Sequence, residues 1–216
     1  MELRAVLRDP LGSVDATQRA ELEREITEAC RAEDWQQAAT LSIRGYGPEI
    51  LGWLLATSGR EQDASDAFSL FCESLWRALP GFRGESSLRT WAYRLAQRSL
   101  ARLARGDIRR RARVVPLDAV DIEELAEQIR SRTMPFLRTE LRAEVQRLRD
   151  QLSEEERSLL VLRLDRRMSW DAIALVLADD EPTAEALKRS AAALRKRYER
   201  VKAKLRELSR GLVPPE

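Results

Sequence analysis

Histidine is absent from this 216-residue chain, and cysteine occurs only twice, at Cys30 and Cys72. A structural zinc site takes four Cys or His ligands, so the sequence cannot build one, and no metal or other cofactor is expected. Hydrolysis by a serine or cysteine nucleophile with a histidine base is excluded for the same reason. Two well-separated cysteines suit a reducing cytosol, where free Cys acts as a small buried hydrophobe. Long apolar runs are missing too. The longest, Ile50 to Ala56, falls far short of the ~20 residues a membrane span needs. The N-terminus, Met-Glu-Leu-Arg, carries no apolar signal core, so the expected location is the cytoplasm. Strand signals are scarce as well, with little period-two alternation and few runs of Val, Ile and Thr. What remains is helical periodicity, and the fold class it predicts is all-α.

Charge is abundant but balanced, with 38 basic against 36 acidic residues and a net charge of +2. The total therefore points to no partner, but the distribution does, because basic and acidic residues fall in separate blocks. Residues 1–34 read as an extension with one polar helix, Ala16 to Arg31. Residues 35–106 read as several helices punctuated by Gly45-Tyr46-Gly47-Pro48, Thr57-Ser58-Gly59, Pro80-Gly81 and Gly84. Residues 107–135 pass from a basic run at Arg109–Arg113 into an acidic stretch ending at Pro135, and read as a linker with at most a short helix. Helical periodicity resumes at Phe136, giving a second domain over 136–211 and a tail over 212–216. The expectation is two small helical domains joined by a linker.

Two basic helices stand out. The first runs from Leu88 to Arg105 behind Ser86-Ser87, and a serine there can cap a helix. Leu88, Trp91, Leu95 and Leu103 form its apolar stripe, and Arg94, Arg98, Arg102 and Arg105 form a row beside it. Guanidinium groups so spaced repel one another unless an anion neutralises them, and nucleic-acid phosphate is the obvious polyanion. A solvated arginine face covering the rim of the core explains the same row equally well. Trp91 and Tyr93 suit the core better than a base-stacking platform.

The second basic helix follows a short one. Trp170, Ile173, Ala174 and Leu177 make one apolar stripe, with Ser169 as N-cap. Leu194, Tyr198, Val201, Leu205 and Leu208 make another, whose other faces are basic. A short helix, a connection and a longer basic helix are the parts of a helix-turn-helix, whose second helix presents N-terminal side chains to the major groove. Arg195, Lys196, Glu199, Arg200 and Lys202 are the candidate DNA-binding residues there. Arg pairs bidentately with guanine and Glu accepts from cytosine. The apolar spacing also fits a heptad, but the stripe barely reaches the three heptads a coiled coil needs.

Two stretches resemble a known family. Phe82-Arg83-Gly84-Glu85-Ser86-Ser87-Leu88-Arg89-Thr90-Trp91-Ala92-Tyr93-Arg94-Leu95-Ala96 is similar to the promoter-melting region of extracytoplasmic-function sigma factors of bacterial RNA polymerase. Leu152-Ser153-Glu154-Glu155-Glu156-Arg157, Met168-Ser169-Trp170-Asp171-Ala172-Ile173-Ala174 and Arg200 to Leu208 resemble their C-terminal domain. The resemblance implies a non-enzymatic initiation factor, with residues 35–106 as region 2 and 136–211 as region 4. It implies core RNA polymerase (clamp and flap) and promoter DNA as partners, with an anti-sigma factor a further candidate, and action at the nucleoid. By the same resemblance Asp63, Asp66 and Glu73 dock on the polymerase. Phe82, Arg83, Ser86 and Ser87 with Arg94, Arg98, Arg102 and Arg105 open the −10 element. The C-terminal helix-turn-helix reads the −35 element.

The sequence departs from the family in three places. Ser69 and Leu70 stand where Gln-Glu is usual, and Arg98 replaces a common asparagine. The helix-turn-helix connection holds roughly ten extra residues, Asp179 to Ser190, including a short helical run at Ala184–Arg189. A passive loop is the favoured reading of this insert, over an acidic flap that restrains DNA binding. The alternatives to a sigma factor are an ordinary helix-turn-helix regulator and a pseudo-sigma that binds polymerase without melting promoters. An enzyme, such as a helical hydrolase using Asp or Glu, is the third class, and the sequence offers it no phosphate loop, metal-ligand cluster or paired-carboxylate motif.

Overall fold

A computed structural model describes residues 16–106, 120–140 and 151–210, and every regular element among them is helical. The helices are α1 (Ala16–Arg31), α2 (Trp35–Ser58), α3 (Glu61–Ala78), α4 (Leu88–Ala104), α5 (Val120–Glu140), α6 (Glu154–Leu164), α7 (Trp170–Val176) and α8 (Ala184–Arg210), with a 3-10 turn at Leu79–Gly81. The basic run Arg109–Arg113 and the tail 212–216 lie outside the described residues.

Helix α2 is the spine. It runs unbroken through Gly45-Tyr46-Gly47-Pro48, where the sequence reading placed a break. Pro48 removes one backbone donor from the helix, but packing on three sides outweighs that loss. Leu22 of α1 lies against Gly45, while Phe68 of α3 and Ile129 of α5 close on Gly47. The next predicted break is present: Gly59 takes a left-handed φ of 72° and its N–H bonds to the Leu55 carbonyl, which ends α2.

Helix α1 is docked rather than appended. Its Glu23 carboxylate accepts hydrogen bonds from the backbone N–H groups of Leu88 and Arg89, both at 2.8 Å, and from the Tyr46 hydroxyl at 2.8 Å. It thereby satisfies donors that the first turn of α4 leaves open. Burial and the adjacent Glu23 charge push the Tyr46 hydroxyl well above its ordinary pKa.

Helix α5 replaces most of the expected linker with 21 helical residues. Ile122, Leu125, Ala126, Ile129 and Met134 recur at helical spacing and are buried against α2 and α3. Burying each larger side chain contributes about 1.5–3 kcal/mol. Of the acidic residues that suggested a linker, Glu124 and Glu127 are exposed and Asp118 lies outside the described residues, and Pro135 lies inside the helix instead of ending it. Arg130 bonds to Glu127, Glu123 and the Ser69 hydroxyl of α3, which pins α5 in place.

The two helical groups do not stand apart. One apolar core runs from Ile26 through Leu205, with α2 packed on α6 and α4 on α7. Trp53 donates to the Ser158 hydroxyl at 3.2 Å inside this junction, and Arg157 donates to the Thr57 carbonyl at 3.0 Å. Cys72 is buried in this core, and burial pushes its thiol up; Cys30 is half-buried.

Candidate nucleic-acid interface

Helix α4 begins where the sequence requires. The Ser87 hydroxyl accepts from the Thr90 N–H at 3.1 Å, so Ser87 is the N-cap. Just before it, the Phe82 ring rests on Trp91 with centroids 5.0 Å apart, which anchors the loop Phe82–Ser87 on the helix it precedes. Gly84 takes φ 72°, a conformation that costs a side-chain-bearing residue more. Arg83 is exposed and 3.7 Å from Glu85, and the Ser86 hydroxyl donates to the Ser87 carbonyl. Tyr93 is fully buried and Trp91 partly so, in keeping with the core reading.

The arginine row divides. Arg98, Arg102 and Arg105 are exposed. Arg94 is only 5% exposed, and its guanidinium donates to the Glu181 carboxylate at 2.5 Å and to the Asp180 carbonyl at 2.8 Å. Arg98 reaches toward the Asp179 carbonyl at 3.4 Å. The anion that the row was expected to attract is thus supplied, at Arg94, by the chain itself. At Asp179–Glu181 the extra connection packs on α4. Of its acidic residues only Glu181 brings its carboxylate to the helix, while Asp179 and Asp180 meet it through their backbone carbonyls.

One arginine in the same motif does something else. Arg89 is 6% exposed and forms a two-pronged ion pair with Glu49 of α2, at 2.7 and 2.9 Å. A third donor bonds to the Arg166 carbonyl at 3.1 Å, and the guanidinium lies over the Tyr93 ring. Burial opposes its charge, but the hydrogen bonds and charge of Glu49 outweigh that and hold the group more firmly protonated than usual. Nothing in the sequence separates Arg89 from its exposed neighbours, because its partner lies forty positions away. Glu23, Arg130 and Glu49 escaped the sequence reading for the same reason.

On the second basic surface, Ser169 caps α7 as expected, accepting from the Ala172 N–H. Helix α8 differs from expectation. The run Ala184–Arg189 is not separate but forms the first turns of one 27-residue helix. Thr183 starts it, with its hydroxyl accepting from the Ala186 N–H at 3.2 Å. Most of the extra residues therefore lengthen the second helix. Tyr198, Val201 and Leu205 are buried and Leu194 and Leu208 half-buried, as their spacing predicts. The opposite face exposes Lys188, Arg189, Arg195, Lys196, Glu199 and Arg200, spread over roughly 18 Å of helix axis. Arg195 leans over the Trp170 ring at 5.8 Å, and Lys202 pairs with Glu199 at 2.8 Å while lying over the Tyr198 ring. Arg197 and Lys204 turn inward to Glu155 and Glu156 of α6.

The acidic candidates lie along one side of α3. Asp63 pairs with Arg60 at 2.5 Å, Asp66 accepts from Gln62, and Glu73 pairs with Arg77. Ser69 is buried beneath α5, so it is covered by the chain rather than offered to a partner.

Comparison with known proteins shows the family. Residues 43–114, which include the capped helix α4 and the loop before it, match the family description Sigma-70 region 2. The RNA polymerase sigma-H factor of Pseudomonas aeruginosa is 32% identical over 146 residues, covering 66% of this chain and 76% of the relative. The chain belongs to the bacterial RNA polymerase sigma factors. RNA polymerase sigma factor YlaC of Bacillus subtilis is 31% identical over 138 residues, covering 62% of this chain and 76% of its own length. No solved structure matches significantly. In this sigma factor α4 packs on α7, and Asp179–Glu181 of the connection to α8 bond to the arginines of α4.

Proposed function

We propose that this chain binds core RNA polymerase in the cytoplasm and selects promoters through three surfaces. Helix α4 and the Phe82–Ser87 loop open the −10 element. The capped loop is preformed, so holding a flipped base there requires little further ordering, which helps offset the few kcal/mol that unstacking costs. Arg98, Arg102 and Arg105 bind phosphate along the melted strand. The exposed face of α8 enters the major groove at the −35 element, where Lys188 and Arg189 extend the surface of Arg195, Lys196, Glu199 and Arg200. The acidic side of α3, with Asp63, Asp66 and Glu73, docks on the polymerase clamp.

The observation that carries this reading is the Ser87-capped basic helix joined in one chain to a helix-turn-helix of the same charge. An ordinary regulator needs only the second. Run-off transcription with purified core polymerase on genomic fragments tests it, and start sites that appear only with this chain are the expected result. Core polymerase that neither binds the chain nor gains start-site selection would refute it. Within that assay, Arg195→Ala is expected to cost about 1–3 kcal/mol at one −35 position. A uniform loss on all sequences would reassign Arg195 to phosphate.

A further inference from the structure

We infer that the first turns of α8 form a phosphate clamp: Lys188 and Arg189 hold the DNA backbone at the far rim of the major groove, while Arg195, Lys196, Glu199 and Arg200 read its floor. The inference rests on the reading of α8 as the −35 helix and divides that helix into two working parts. Helix α8 begins at Ala184, about three turns ahead of Arg195. None of residues 184–190 is buried, and the first buried position is Ala191. These turns therefore project past the packing of α8 on α6 and α7. Lys188 and Arg189 are exposed, and among the described residues neither pairs with a carboxylate, although Glu185 stands one turn before them. Arg197, Lys202 and Lys204 of the same helix each pair with a glutamate. The two upstream cations thus keep their donors for an anion from outside the chain.

Spacing supplies the second argument. Lys188 lies about 10 Å along the helix axis from Arg195, and the major groove is about 12 Å wide. When Arg195 and Lys196 meet base edges, the long side chains of Lys188 and Arg189 reach the backbone beyond them. Ala192 and Ala193 are exposed between the two basic groups. Their small side chains let α8 approach the groove closely and offer no donor or acceptor to a base. Support for the two groups also differs. Arg195 is braced over the Trp170 ring at 5.8 Å, which suits a base reader that needs a fixed geometry. Lys188 and Arg189 lean on no ring or carboxylate, which suits phosphate, bound by charge at many angles. Upstream, the exposed face turns acidic at Glu185, so the clamp ends there.

Filter binding tests this, with core polymerase and the full-length chain assembled on a promoter fragment taken from the run-off mapping. Affinity is measured from about 50 to 200 mM salt. Lys188→Ala with Arg189→Ala is expected to lower the slope of log affinity against log salt by about 2, so the native chain loses roughly tenfold more affinity over that range. Each base substitution in the −35 element is expected to cost both proteins the same factor. Lys188→Arg with Arg189→Lys keeps the charge and is expected to keep the native slope. Arg24→Ala with Arg31→Ala removes an equal charge from exposed positions of α1 and is expected to leave the slope unchanged. An unchanged slope in the Lys188→Ala, Arg189→Ala variant would overturn the clamp. So would lost discrimination at one −35 position, which would make the pair base readers. Start-site selection by the native chain, measured in parallel, tests the sigma reading separately. A failed clamp with intact selection leaves that reading standing.

Discussion

The Arg89–Glu49 pair offers the sharpest quantitative test of the packing. Both side chains are close to fully buried, at 8% and 11% exposure, and both prongs of the pair are at charge-assisted hydrogen-bond distance. Glu49→Leu would leave a buried guanidinium with one carbonyl partner. Breaking a buried pair from one side costs about 3–5 kcal/mol, because the remaining charge is uncompensated. For a chain of this length about 1 kcal/mol shifts Tm by 2–4 °C, so a fall of roughly 6–20 °C is expected by far-UV circular dichroism. Glu49→Leu with Arg89→Met removes both charges at similar volume. Beyond the pair itself, the double variant loses the bond to the Arg166 carbonyl, worth about 1 kcal/mol, and the cation–π contact with Tyr93, worth about 0.5–2 kcal/mol. It should therefore recover part of the lost stability. A double variant as unstable as the single one would refute the reasoning, since the cost would then come from packing rather than from the stranded charge.

Two further outcomes are expected. Ser87→Ala removes the α4 cap and should cost about 1 kcal/mol in urea unfolding; it should also slow promoter opening more than promoter binding, measured by permanganate footprinting against filter binding. Glu156 completes a capping box with Ser153 and accepts from Lys204. Although burial acts the other way, its bonds to the Ser153 backbone and Lys204 lower its pKa below the usual 4.5. Its depressed pKa contributes stability above pH ~4.5 that is lost as pH falls through the lower folded value. Unfolding followed from pH 6 to pH 3 should show this acid-dependent component, and Glu156→Gln should remove it. An unchanged profile would count against the contact.

Local signals in the sequence determined much of this molecule. Helical spacing marked the buried stripes of α7 and α8 but not that of α4, where Ala92, Tyr93, Ala96 and Leu100 are buried with Leu88 while Trp91, Leu95 and Leu103 are only half-buried. The caps Ser87 and Ser169 were legible because a capping hydroxyl acts within three residues of itself. The resemblance of Phe82–Ala96 to the promoter-melting region identified the family, since that motif is contiguous. Three features needed the tertiary structure. Whether Gly45-Tyr46-Gly47-Pro48 breaks a helix depends on Leu22, Phe68 and Ile129 closing around it. Whether the acidic stretch is a linker depends on α2 and α3 offering Ile122, Leu125 and Ile129 a surface. Which of the four arginines of α4 stay exposed, and which are spent on Glu49 or Glu181, depends on carboxylates forty and eighty-seven positions away. Periodicity and capping are short-range, so one strand of sequence carries them. Charge pairing over such separations exists only once the chain has folded and brought the partners together.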